Sequence, residues 1–315
     1  MRILFFDCSP KDYTVESVYQ KPMGGSESAL CYLTQELAKL GHNVSFLNWT
    51  TTPGTFCGVA CHHLNDYPQS LIQGADFAVF LNYAEVLANI RPLLDPKTKM
   101  VFWTQNAHDQ GSAQPLSHPE IARVCDHIVC VSQWQKNQYA EVFGIDAQRI
   151  TVLRNAISRP FEGLFNGQTD VVSQKLNPPT LVYTSTPFRG LDWLLEAYPL
   201  IRQQVPDVRL QVYSSMKVYG VSEAEDATFN SLYEKCRTMD GVDYFGSIPQ
   251  KDLAQKLKSA TILAYPNTFA ETSCIAVLEA LAAGLTVVSS DLGALSETGQ
   301  GFAKLIPVRD RKSVV

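Results

Sequence analysis

No apolar run in this sequence approaches the roughly 20 residues that a membrane-crossing helix requires, so no transmembrane segment is expected. No tract of Lys and Arg stands out. The net charge is −5, which leaves no electrostatic footprint for nucleic acid. No Cys-x-x-Cys pair occurs among the eight cysteines. The thiols at 8, 31, 57, 61, 125, 130, 236 and 274 therefore read mostly as small buried hydrophobes. The one clustered stretch is Cys57-Gly-Val-Ala-Cys61-His62-His63. Its last three residues alternate sides in an extended segment, so they do not converge on one ion. No carboxylate cluster suits a divalent cation either, and no metal site is expected. The opening Met1-Arg2-Ile3-Leu4-Phe5-Phe6-Asp7 has a short apolar core that meets an acid at once. That suits a buried strand rather than a signal peptide. A cytoplasmic protein is expected, with peripheral contact to a membrane left open.

What is present is an alternation of strand and helix patterns. The 315 residues, 45% of them hydrophobic, suffice for about two soluble domains. Ile3 to Phe6 is apolar. Leu30, Leu33, Leu37 and Leu40 recur at helical spacing, and Gly41 follows as a stop. Further strand-like runs are 44–47, 75–81, 100–103 and 127–131. Strands this continuously apolar, with helices between, predict a parallel sheet covered on both faces. The pattern breaks around 159–179, where Asn166-Gly167-Gln168-Thr169-Asp170 and Asn177-Pro178-Pro179 lie. The reading is a first domain at 1–165, a linker at 166–179 and a second α/β domain at 180–315. Only Pro307 to Val315 follow the last strand-like run, 301–306. The second domain is expected to be cut short of a closing helix.

The most specific chemistry lies in Glu271-Thr-Ser-Cys-Ile-Ala-Val-Leu-Glu279-Ala-Leu-Ala-Ala-Gly284. Thr272 or Ser273 is expected to cap a helix running to about Ala283. The free amides from Ser273 to Ile275 then form an anion site. Glu271 would project from the preceding loop, and Glu279 would reach back along the helix. The plainer reading makes Glu271 a first-turn acid and Glu279 a solvated helix residue. Against it, 275–283 is apolar almost all round, which predicts a buried helix. A lone buried carboxylate is costly unless something binds it.

Four other stretches stand where a ligand could be met. Gly24 and Gly25, between the first strand and a helix, let a backbone approach closely. They lack the Gly-x-Gly-x-x-Gly spacing of a dinucleotide fingerprint. His108 follows a strand, where sites form in such sheets. Arg189, at a helix start, is badly placed unless an anion joins it, and it can grip phosphate oxygens in bidentate fashion. Ser185 and Thr186 beside it can donate hydrogen bonds. The loop Tyr244-Phe245-Gly246-Ser247-Ile248-Pro249 ends another strand.

The Glu271–Glu279 stretch resembles the Glu-x7-Glu signature of retaining GT-B glycosyltransferases, glycosyltransferase family 4 (group 1). The resemblance implies an α/β GT-B fold, with two Rossmann-like parallel-sheet domains facing a cleft. It implies that Glu271 contacts the donor sugar hydroxyls and Glu279 the nucleotide ribose. The amides of Thr272, Ser273 and Cys274 would meet sugar or phosphate. Gly24 and Gly25 would lie over the donor phosphates, and His108 near the donor sugar and the reaction centre. Arg189 stands in the place of the family's Lys-Gly lysine, at the diphosphate. Ser247 and Ile248 would hold the base, partly through backbone groups. Thr-Ser-Cys stands where the family usually has glycines and an aromatic, and the family's earlier arginine is absent.

The function so implied is transfer of a sugar from a nucleotide-diphosphate sugar to an acceptor hydroxyl, with retention of configuration. The nucleotide sugar is a substrate, and no cofactor or metal is called for. The acceptor, a saccharide, a lipid or another hydroxyl compound, would bind the first domain. The alternatives are a nucleotide-sugar epimerase on the same fold, a non-catalytic sugar-nucleotide binder, or an unrelated doubly wound nucleotide-binding protein.

Overall fold

A computed structural model describes residues 1–308 except Asn166, Gln168 and Thr169. Those three, in the expected linker, and 309–315, at the expected early stop, lie outside the described residues. The chain divides into two units, Met1–Val18 with Gly25–Asn155, and Tyr19–Gly24 with Ala156–Val315.

The first unit carries strands β1 (Arg2–Asp7), β2 (Asn43–Asn48), β3 (Gly54–Phe56), β4 (Val59–His63), β5 (Phe77–Leu81), β6 (Lys99–Trp103), β7 (His127–Cys130) and β8 (Ile150–Val152). Their order in the sheet is β3-β4-β2-β1-β5-β6-β7-β8, and only β3 runs antiparallel to its neighbour. β1 is central. Ile3 pairs with Val44 on one side and with Phe77 on the other. Its residues from Ile3 to Asp7 are all buried because both faces are covered. The rings of Phe6 and Phe80, on adjacent strands, stack at 4.5 Å.

Helix Gly25–Lys39 places Glu27 in its first turn and Lys39 in its last, the signs its dipole favours. Its buried face differs from the leucine stripe expected. Leu30 is buried, but Leu40 is 74% exposed, and Thr34 and Gln35 are buried instead. The polar side chains are tolerated because both are bonded. Gln35 Nε2 donates to the Val15 carbonyl at 2.7 Å and Thr34 Oγ1 to the Leu30 carbonyl at 2.9 Å. Gly41, at φ +85°, ends the helix.

The second unit holds β9 (Thr180–Tyr183), β10 (Arg209–Val212), β11 (Val242–Tyr244), β12 (Ile262–Tyr265), β13 (Thr286–Ser290) and β14 (Ala303–Ile306). All pair in parallel, in the order β11-β10-β9-β12-β13-β14. Numbered by appearance this is 3-2-1-4-5-6, the doubly wound order. The order in which strands are added reverses between β9 and β12, so the loops leaving those two parallel strands open a crevice at their carboxyl ends.

The division at Asn155–Ala156 precedes the linker expected at 166–179. Residues 156–165 contribute to the second unit's core, where Phe161 and Leu164 are buried. Within 170–179 Lys175 anchors the chain. Its Nζ donates to the carbonyls of Lys258 (3.1 Å) and Ala283 (2.6 Å), at the ends of helices Gln250–Ser259 and Ile275–Ala282. A polar stretch is here fastened at Lys175.

Gly190 separates the β9 loop from helix Leu191–Gln204 at φ +101°. A Cβ there would stand 2.0 Å from the Pro266 carbonyl oxygen, in the loop after β12. Gly190→Ala is expected to destabilise the protein by about 2–4 kcal/mol, from backbone strain plus a clash that backbone cannot relieve. Gly144→Ala shares the positive φ but meets nothing within 4 Å, and is expected to cost about 1–2 kcal/mol. Urea unfolding of the two variants checks the difference, and equal costs would refute the close approach.

Candidate functional site

The crevice at the β9–β12 switch point is lined by the residues that follow each strand. Arg189 comes from the β9 loop and Glu271 from the β12 loop. Arg189 Nη1 meets Glu271 Oε1 at 2.5 Å. The same oxygen accepts from the Tyr265 hydroxyl at 2.6 Å. On the far side of that hydroxyl lies Ser185 Oγ, at 3.3 Å. Arg189 Nη2 donates to the Tyr219 hydroxyl at 3.3 Å, and its guanidinium stands 4.5 Å from the Phe269 ring centre. Burial opposes the charge on Arg189, but the Glu271 carboxylate, with Tyr219 and Tyr265 behind it, more than offsets that. The guanidinium stays charged.

The backbone of Glu271 is pinned as well. It forms a parallel bridge to Gly293, and its carbonyl accepts from the Ala294 amide at 2.6 Å. Gly293 sits at φ +62°, and a Cβ there would lie 2.3 Å from the Glu271 carbonyl oxygen. Glu271 thus belongs to an extended segment. The helix begins later than expected, at Ile275, and Cys274 is its N-cap without a side-chain hydrogen bond of the usual kind. Thr272 and Ser273 precede the cap, because the bridge to Gly293 holds the chain extended. Burial pushes the Cys274 thiol up, so it remains a neutral thiol. Among the described residues, no backbone carbonyl accepts from the amides of Ser273, Cys274 or Ile275. Those donors stand at the positive pole of the helix.

Several buried polar atoms around this edge lack a protein partner. In the second unit they are Thr184 Oγ1, Thr186 Oγ1, Arg189 Nε, Ser214 Oγ and Ser289 Oγ, among the described residues. All five lie at or just beyond the carboxyl ends of β9, β10 and β13. Native proteins rarely leave such groups unmet. Their concentration here marks where a polar ligand or water belongs.

Glu279 is on the same helix but in different company. It is 3% exposed. Ser158 Oγ donates to its Oε1 at 2.7 Å, and Gln250 Nε2 donates to Oε1 and Oε2 at 2.9 and 3.1 Å. These neutral donors only partly offset burial, which pushes the carboxyl up to about 7. Gln250 follows the loop that bears Ser247 and Ile248, so that loop is tied to Glu279. Ser247 lines an open cavity of about 690 Å³ with Lys217, Arg237 and Tyr244. The Ile248 side chain packs against the unit's core.

The remaining sequence-derived residues lie elsewhere. His108, in the first unit, follows β6, and its Nδ1 is buried without a partner. Its loop is braced by Gln114 Nε2, which donates to the His108 carbonyl at 2.6 Å. Gly25 opens the helix of the first unit, while Gly24 groups with the second. The second unit therefore brings Ser185, Arg189 and Glu271 into one network, joins Glu279 to the Ser247–Ile248 loop, and leaves His108 and Gly25 in the other unit. Tyr265, Tyr219, Phe269, Ser158 and Gln250 escaped the sequence reading. A tyrosine closing an apolar strand was the only visible signal. Ser158 carries none, since it stands 121 residues from Glu279.

Among the described residues no three His, Cys, Asp or Glu side chains gather as metal ligands. No helix there is long and apolar enough to cross a membrane.

Glu279 has a raised carboxyl, so the folded state holds its proton more tightly than the unfolded chain. The stability this contributes is complete below about 4.5 and is lost as pH rises through about 7. Glu279→Gln removes that dependence. Relative to the parent, the variant is expected to gain on the order of 3 kcal/mol between those pH values. Chemical unfolding of both proteins across that range checks it. A difference that stays flat would place the carboxyl in ordinary solvent.

Residues 178–315 match the family described as "Glycosyl transferases group 1". A phosphatidylinositol N-acetylglucosaminyltransferase component from Arabidopsis thaliana is 25% identical over 174 residues, 55% of this chain and 36% of that protein. The O-antigen chain mannosyltransferase B of Escherichia coli is 22% identical over 246 residues, 74% of this chain and 60% of that one. The chain thus spans less than two thirds of either relative. The crystal structure of Anabaena HepE in complex with UDP and glucose superposes with a TM-score of 0.69 at 15% identity, covering 100% of this chain and 88% of that one. Its fold is the GT-B fold, two Rossmann-like parallel-sheet domains. The chain thus has the GT-B fold, and its residues 178–315 match the group 1 glycosyltransferase family.

Proposed function

We propose that the protein transfers a sugar from a nucleotide-diphosphate sugar to an acceptor hydroxyl, with retention of anomeric configuration. The observation that carries this reading is the Arg189–Glu271–Tyr265 network, set at the switch point beside unmet amides and hydroxyls. Such a crevice suits a ligand that is anionic at one end and hydroxyl-rich at the other. Arg189 and the amides of Thr272, Ser273, Cys274 and Ile275 take the diphosphate. Glu271 accepts from a hydroxyl of the donor sugar, and Glu279 from the ribose. Ser247 and the backbone of Ile248 face the base.

In the reaction the bond between the anomeric carbon and the diphosphate oxygen breaks. The acceptor oxygen bonds that carbon from the same face and passes its proton to the departing phosphate. Charge gathers on the leaving group, where Arg189 and the helix amides stabilise it. These groups replace a divalent cation, so the reading requires no metal and no cofactor. Glu271 acts as a hydroxyl acceptor rather than a nucleophile, since Arg189 and Tyr265 already hold one of its oxygens.

The names of the two relatives favour hexosyl and N-acetylhexosaminyl donors, with acceptors that are lipid-linked or saccharide. UDP, which the Anabaena protein binds, is the first nucleotide to try. Calorimetric titration with UDP, GDP, ADP and TDP, alone and as sugar conjugates, tests the reading. One diphosphate is expected to bind, and Arg189→Ala to weaken it about tenfold or more, as loss of a charge-assisted contact does. If none binds at millimolar concentration, the donor assignment fails. With a donor in hand, NMR of the product's anomeric proton distinguishes retention from inversion.

A further inference from the structure

We propose that Tyr265 is a positioning residue for the donor sugar: with Arg189 it occupies one oxygen of Glu271 and leaves the other as the single acceptor offered to a sugar hydroxyl. The inference rests on the donor-site reading above and adds a residue and a selectivity to it.

Both charged and phenolic donors converge on Oε1 of Glu271, at 2.5 and 2.6 Å. Among the described residues, no donor reaches Oε2. The backbone of Glu271 is held by Ala294 and pressed by Gly293. With its main chain and one oxygen fixed, the carboxylate has little torsional freedom, and Oε2 has a set direction.

Tyr265 is built for this task. It closes β12, is 1% exposed and packs edge-on against Tyr183 at 5.8 Å. Burial, reinforced by the nearby Glu271, drives its phenol well above the ordinary range, so it keeps its proton and donates. That single proton goes to the carboxylate, and the Ser185 hydroxyl then donates to the phenol oxygen. Ser185, Tyr265 and Glu271 form a directed relay of hydrogen bonds.

The alternative geometry shows why the phenol matters. A guanidinium prefers to meet a carboxylate with two parallel bonds, one to each oxygen. Such a fork would consume Oε2. The Tyr265 hydroxyl, by taking a place on Oε1, keeps the carboxylate turned away from that arrangement. Glu271 consequently recognises one hydroxyl, not a vicinal pair.

The test is a double-mutant cycle read by calorimetry. The probes are UDP-glucose, UDP-N-acetylglucosamine and GDP-mannose, each beside its free diphosphate. For the pair that the parent binds, Tyr265→Phe is expected to weaken the sugar nucleotide about tenfold, the loss of one hydrogen bond to a charged group. The free diphosphate should change less than about twofold, within the scatter of surface substitutions. In a Glu271→Gln background the same change should have no further effect. Equal losses for sugar nucleotide and diphosphate, or a full loss in the Glu271→Gln background, would overturn the proposal. A parent that binds none of the probes would instead remove the donor-site reading.

Replacing Tyr265 by 3-fluorotyrosine keeps the fold and strengthens the donor, so it decides the matter if Tyr265→Phe does not fold. A stronger donor holds Oε1 more firmly, so affinity for the sugar nucleotide should change while that for the free diphosphate does not, and equal changes or none would count against Tyr265.

Discussion

The ion pair between Arg189 and Glu271 is the constraint around which the second unit is arranged. Both groups are largely withdrawn from water, with side chains 18% and 6% exposed. Taking two charges out of water costs several kcal/mol per ion unless geometry and further hydrogen bonds compensate. Here the compensation is visible. Tyr219 and Phe269 hold the guanidinium, Tyr265 holds the carboxylate, and the strand order brings their loops together. Gly190 and Gly293 are the places where the backbone must pass too closely for any side chain. Each of these features has little purpose in a plain apolar core. They make sense together as the upkeep of a charged site.

Two glutamates eight positions apart are thereby put to opposite uses. Glu271 faces a cation. Glu279 faces neutral donors, the hydroxyl and backbone amide of Ser158 and the side-chain amide of Gln250, and burial drives it toward neutrality. The same helix thus carries a charged acceptor before its start and a proton-holding one in its second turn. A ligand lying across both would meet an anion at one point and, near neutral pH, a group able to donate or accept at the other. Spacing alone would have made the two acids equivalent. Their neighbours separate them.

Much of the fold could be read from periodicity. The apolar runs at 3–6, 44–47 and 181–183 lie in strands, because a strand buried on both faces leaves a continuous apolar record. Helix faces were less legible. Leu40 fits the helical spacing but lies beyond Lys39, the last helical residue, while Thr34 and Gln35 are buried through bonds that no pattern displays. In the site, residue type was informative. An arginine at a helix start and a glutamate before another both pointed to an anion and its hydroxyls. Their mutual contact was not legible, since it joins loops 82 residues apart. The late helix start escaped for the same reason, because the bridge from Glu271 to Gly293 is a tertiary contact. At 166–179 polar composition was read as a connector. Lys175 shows how a polar strap can be fastened, by giving its ammonium to carbonyls that helix ends leave open.

That fastening has a mechanical side. One ammonium spans the ends of two helices, and one of them, Ile275–Ala282, carries Glu279 and presents its amides to the crevice. Ser158 grips the same helix from the stretch ahead of the strap. The chain therefore enters the second unit through a clasp closed at two points. A pull on Ser158 or on Lys175 would be carried into that helix.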